Sequence, residues 1–265
     1  MPRRYFLPAL ALTVLAGLPA LAQTALKDPQ AVVLASQAVS ALNGTTNITD
    51  VAVQATANYI AGSDEETGTA TLLAKAGESR ITLTLTGGRR AEVRNNSGGI
   101  PQGSWSGPDG VWHAMALHNC WTDPAWFFPG LTLQAALTDA QVALVYVGQE
   151  SRDGLAVQHV KFSGVLPGQS ADMTAEIQRL STVDVYLDAA TSLPVALDFN
   201  IHPDGDFGLD IPIEIQFADY RRANGIQVPF RVEKLMQGSL VLDLSIASVA
   251  VNSGIPAGEF VVQQM

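Results

Sequence analysis

The chain has 265 residues, 47% apolar and 15% charged, with 15 Lys and Arg against 25 Asp and Glu and a net charge of −10. So apolar and charge-poor a composition excludes a disordered acidic chain, and the carboxylate excess argues against a surface that tracks nucleic-acid phosphates. The single cysteine, Cys120, allows no internal disulfide, so the fold must rest on its own core.

Residues 1–22 read as a signal peptide. Arg3 and Arg4 form a basic start, Leu7 to Leu21 is apolar but short for a membrane span, and Ala20-Leu21-Ala22 is a small-residue cleavage signature. The mature chain then begins at Gln23, with 13 Lys and Arg against 25 Asp and Glu and a net charge of −12. Arg3-Arg4-Tyr5-Phe6-Leu7 resembles the twin-arginine signal core, but Pro2 and Pro8 stand where that motif has Ser or Thr and Lys. Both the Sec and the twin-arginine routes therefore stay open. No Cys lies near the cleavage point, where a lipid anchor needs one as the first mature residue, so the mature protein is expected to be soluble, periplasmic or secreted, and not lipid-anchored.

The first element of the mature chain reads as an amphipathic helix. Asp28 caps it, Pro29 suits its first turn and Gly44 closes it. Ala31, Leu34, Ala35, Ala38, Val39 and Leu42 fall on one face. The period then changes to two. Ile81, Leu83 and Leu85 alternate with polar residues, as do 195–201, 211–217, 226–232 and 240–246. Weaker strands are predicted near 50–60, 69–76, 89–95, 111–117, 142–150, 155–163 and 183–188. Turn pairs punctuate them: Gly87-Gly88, Asp153-Gly154, Asp204-Gly205, Asn224-Gly225 and Gln237-Gly238. Residues 164–175 read as a loop. One β-rich domain is expected over 23–265.

The middle of the chain differs. Trp105, Trp112, Trp121 and Trp126, the four tryptophans, lie together there. Asp123 and Pro124 predict a short helix carrying Trp126-Phe127-Phe128 and ending at Pro129-Gly130, with another short helix over 132–137. One helix of about 14 residues is about 21 Å long and cannot cover about ten strands spaced about 4.8 Å apart. The sheet must therefore fold on itself or curl, and small aliphatic inward residues leave room inside for an apolar ligand.

Other chemistry is weakly supported. His113, His118 and Cys120 do not match a familiar zinc spacing, and Asp204, Asp206 and Asp210 lack the calcium-loop pattern. No nucleophile elbow, phosphate loop or dinucleotide fingerprint occurs. No catalytic residue, metal or cofactor is assigned.

Several phrases, in order, resemble the LolA/LolB-type lipoprotein-carrier superfamily. They are Asp109-Gly110-Val111-Trp112, then Leu187-Asp188 through Leu193-Pro194, then Asp219-Tyr220-Arg221 with Asn224-Gly225-Ile226 and Pro229. The last is Ile246 to Asn252 with Ile255-Pro256 and Phe260. The resemblance spans 28–262 and marks a divergent member. It implies a mainly β fold: a large curled antiparallel sheet, or half-open β-barrel, with an N-terminal helix and short lid helices over a hydrophobic cavity. It further implies a lipid or acyl-chain ligand, as for a lipoprotein carrier, with envelope membrane proteins as possible partners of a monomer. In the soluble carrier an arginine ties lid to barrel; Arg80, Arg89, Arg90 and Arg94 are its candidates by position. The residues expected in the cavity or lid are Trp112, Trp126, Phe127, Phe128, Leu131, Leu197, Phe199, Ile213, Ile215 and Phe230. An envelope sensor or interaction module on the same scaffold, and an exported metal-dependent hydrolase using His113 and His118, are the alternatives.

Overall fold

The computed structural model describes residues 1, 25–96, 99–122 and 125–263. Apart from its first residue, the expected signal segment lies outside them, as do Asp123 and Pro124. The strands are β1 (Asp50–Ala61), β2 (Asp64–Lys75), β3 (Glu78–Leu85), β4 (Gly88–Asn95), β5 (Gln102–Ser106), β6 (Trp112–Ala114), β7 (Val142–Arg152), β8 (Leu155–Gly164), β9 (Val183–Asp188), β10 (Pro194–Ile201), β11 (Ile211–Ala223), β12 (Ile226–Met236) and β13 (Ser239–Val251). The helices are α1 (Pro29–Asn43), α2 (Pro129–Thr138) and α3 (Ala171–Ser181), with short 3-10 turns at Leu117–Trp121 and Ala257–Phe260.

All thirteen strands form one antiparallel sheet in the order β6-β5-β4-β3-β2-β1-β13-β12-β11-β10-β9-β8-β7. From β1 the chain steps outward by hairpins to the β6 edge. Residues 115–141 then carry it across to the β7 edge, and hairpins, with α3 between β8 and β9, return it to β13, which pairs with β1. The first and last strands are therefore neighbours at the sheet's centre. The edges β6 and β7 do not pair, so the sheet is open. One extra residue, Ala247, bulges β13 opposite Gln54 and Ala55. It shifts the buried phase from Leu242 and Leu244 to Val249, as an inserted residue must.

The inner face is a continuous core. α1 lays Ala31, Ala35, Ala38 and Leu42 against it, with Asp28 accepting from Gln30 N (2.7 Å) and Ala31 N (3.1 Å) as its cap. Alanines let that helix pack against α2 and across β7, β8 and β12. The aromatic run Trp126-Phe127-Phe128 and Leu131 complete the cover. A satellite core lies on the outer face, where the last 3-10 turn packs on β3 and β4 and buries Phe260 completely.

Three expectations are corrected. Residues 125–127 form a turn, not a helix, and Pro129 begins α2 instead of stopping a helix. Proline's fixed φ suits a helix's first turn, and extended Phe128 (φ −136) delivers the chain to it. The loop expected over 164–175 holds the start of α3, capped by Ser170 Oγ, which accepts from Met173 N (3.3 Å). That helix buries only Ile177, Leu180 and Ser181, too few positions for a clear period. Finally, β6 spans three residues of the expected 111–117, and β5 was not foreseen.

Candidate functional site

On β4, Arg90, Glu92 and Arg94 alternate with Ala91 and Val93. Residues directly opposite in an antiparallel pair share a face. Glu92 pairs with Ile81 and Arg90 with Leu83, both in the inner core, so these charges stand on the sheet's inner face. Across the concavity, Lys234 of β12 pairs with Ile215 and with Leu242, again inner residues. Lys234 is thus a cation on an apolar face. Its Nζ lies 5.0 Å from the centroid of the Trp126 ring, a cation–π contact.

These groups border a pocket of about 570 Å³ on the inner face, walled by Tyr59, Ile81, Leu83, Trp105, Trp126 and Ile213, with Arg90, Glu92 and Lys234 as its charged members. Arg90 grips Glu66 with both guanidinium nitrogens (2.9 and 2.7 Å) and stacks over Tyr59 at 4.8 Å. The Glu66 hydrogen bonds raise the Arg90 pKa. Arg94 Nε donates to Glu92 Oε1 at 2.7 Å. Burial works to raise the Glu92 carboxyl, but the Arg94 and Lys234 charges outweigh it and hold it below the ordinary carboxylate value. Burial pushes the Lys234 ammonium below the ordinary lysine value, with Glu92 opposing.

Arg94 also reaches out of the sheet. Its Nη1 donates to Asn119 O (3.0 Å) and to Thr122 Oγ1, both in the segment that crosses from the β6 edge to the β7 edge. A second pocket, of about 870 Å³, opens beside α2 and is bounded by Ile48, Trp121, Leu131, Gln134 and Phe162. Gln134 holds that end together, donating to Ile48 O (2.7 Å) and accepting from Ile48 N (3.1 Å).

No protein-family model and no curated sequence matches the chain. Among solved structures it is similar to a LolA superfamily protein from Nitrosomonas europaea, at 13% identity and a TM-score of 0.54, over 87% of this chain and 97% of that one. It is similar to a DUF1329 family protein from Desulfovibrio piger, at 10% identity and a TM-score of 0.52, over 87% and 95%. A third is an outer membrane lipoprotein-sorting protein domain from Vibrio parahaemolyticus, at 13% and 0.50, over 86% and 95%. The chain has a LolA-like fold.

Within this LolA-like sheet the expected site residues part company. Trp126 and Ile213 line the smaller pocket and Leu131 the larger one. Phe127, Phe128, Leu197, Phe199 and Ile215 are buried in the core. Phe230 is half-buried under the Arg221 guanidinium at 4.7 Å. Trp112 pairs with Ser106, which places it on the outer face, away from Glu92. Among the described residues, Arg94 is the one of the four candidate arginines bonded to the crossing segment; Arg80 pairs with Glu259 (3.4 Å) and Arg90 with Glu66. Lys234 and Glu92 were missed. Continuing the alternation Ile226, Val228, Phe230, Val232 by one step lands on Lys234, so the signal was present.

His113, His118 and Cys120 have separate surroundings. His113 stacks on Trp105 at 4.5 Å, His118 Nε2 lies 3.1 Å from Pro203 O, and Cys120 Sγ is 3.5 Å from Ala116 O. Burial pushes the Cys120 thiol up to about 11, the direction of an inert thiol. Asp210, of the Asp-rich turn that lacks the calcium-loop pattern, accepts from Arg179 (2.7 Å) and lies 2.9 Å from His202 Nε2.

Proposed function

We propose that this protein is an exported, soluble, non-enzymatic carrier that takes an apolar ligand, a lipid or acyl chain, into the pocket beneath Trp126. The observation that carries this reading is an apolar hollow of about 570 Å³ on the inner face of an open sheet, within the range of small-molecule sites. An acyl chain there leaves water at about 0.8 kcal/mol per methylene. The LolA-like fold supports the reading, and one structure of that fold is described as a lipoprotein-sorting domain. In this reading residues 1–22 are the export signal and 23–265 a single monomeric domain. Envelope membrane proteins are then the donors or acceptors of cargo.

Native mass spectrometry of protein taken gently from its own cell envelope tests the proposal. The expected result is a lipid-sized adduct that disappears on solvent extraction and returns on incubation with lipid. A bare mass, with no uptake of an acyl-chain fluorophore into the extracted protein, overturns it.

A further inference from the structure

The charges around the smaller pocket do not cancel. Arg90 is engaged by both oxygens of Glu66, and Glu92 accepts from Arg94. Lys234 is left over. Among the described residues its ammonium donates no hydrogen bond and lies in no ion pair within 4.0 Å; its near neighbour is the Trp126 ring. With Arg90, Glu92 and Lys234 on the wall, and Glu66 and Arg94 behind them, the pocket carries one net positive charge inside a chain of net charge −10. An ammonium that faces a hollow and bonds no acceptor there, with Glu92 already taken by Arg94, is a site that an anion completes, because a charge-assisted hydrogen bond in low dielectric is stronger than one in water.

We propose that the pocket selects a long-chain carboxylate: an acyl chain along Ile81, Leu83, Ile213 and Leu242, with its acid group accepting from Lys234 Nζ. This rests on the carrier reading above and names the chemistry of its ligand's head. A single free ammonium, with both arginines already engaged, matches a monoanionic head; a phosphate dianion would ask for further donors that these residues do not supply. The cation–π contact gives Lys234 a resting place in the empty site and keeps Trp126 beside the ligand's head. Ligand entry then exchanges a ring for a carboxylate at one ammonium.

Binding of hexadecanoate, hexadecan-1-ol and hexadecylamine to the delipidated protein, by displacement of a fluorescent acyl probe, tests this. Wild type should prefer the acid over the alcohol by about tenfold or more, the size of one charge-assisted hydrogen bond, and should disfavour the amine. Lys234→Met should erase the preference while still binding the alcohol, and Lys234→Arg should keep it. Glu92→Gln, which removes the competing carboxylate, should widen the preference for acid over alcohol, and it decides the matter if Lys234→Met fails to fold. Equal binding of acid and alcohol by wild type overturns the charge selection and leaves the carrier reading standing. Binding of none of the three overturns both.

Discussion

An ammonium held among Ile215, Leu242 and the Trp126 ring opposes folding, because burial removes its hydration and Glu92 offers it only a shared carboxylate. Lys234→Met keeps all but one atom of the side chain's length and removes the charge, so it should stabilise the fold by about 1–3 kcal/mol, read as a higher urea midpoint. The sign with pH follows from the depressed folded value. The unfolded chain holds the proton more tightly, so the penalty is full below the folded value and fades as pH rises through the ordinary lysine range near 10.4. The Met variant should lack that alkaline gain. Asp50 runs the other way. It accepts from Ser253 N (2.8 Å), Ser253 Oγ (2.9 Å) and Gly254 N (3.1 Å). Burial works to raise its carboxyl, but these bonds outweigh it and lower the value. Its contribution is therefore full above about pH 4 and is lost as pH falls through the lowered folded value. Asp50→Ala should cost about 1–3 kcal/mol at neutral pH, and the mutant's stability should fall less steeply in acid.

At the scale of elements, the crossing segment is held to the sheet by Arg94 through Asn119 and Thr122. Arg94→Leu leaves Asn119 O and Thr122 Oγ1 without that donor and Glu92 without its nearest cation. Hydrogen exchange at residues 117–122 should accelerate by at least about tenfold, while β1 and β13 keep wild-type protection; equal protection at 117–122 would show that Arg94 holds nothing. The strands were legible in the sequence because an inner residue such as Ile213 or Leu197 recurs every second position. The LolA-like order of hairpins was legible through turn pairs such as Asn224-Gly225, where Asn224 has φ 50 and Gly225 φ 85. What escaped were α3 and β5, with three buried positions each, and the turn at 125–127, whose Ala-Trp-Phe is buried and holds none of the usual turn formers. Lys234 escaped because the alternation was followed only as far as Val232, where the apolar run ends.

For the molecule as a whole, the β1–β13 pairing joins two meanders into one sheet, which should unfold as one cooperative unit. The four tryptophans, between 105 and 126, lie on the β5–β6 edge and the crossing segment, whereas far-UV circular dichroism reports all thirteen strands. Denaturant midpoints from tryptophan fluorescence and from circular dichroism should coincide. Two separated midpoints would mean that the halves unfold independently and that the central pair contributes little.

The same pairing sets an order of events during synthesis. β1 meets β2 as soon as a hairpin can close, but its other edge has no native neighbour until residues 239–251 emerge. Through nearly the whole of translation a central strand stands as an unpaired edge, and such an edge templates wrong pairing. The outer edge of β1 is therefore the stretch that gains most from protection until the last strand is made. A chaperone that delays folding should help this topology more than one that rescues the finished fold.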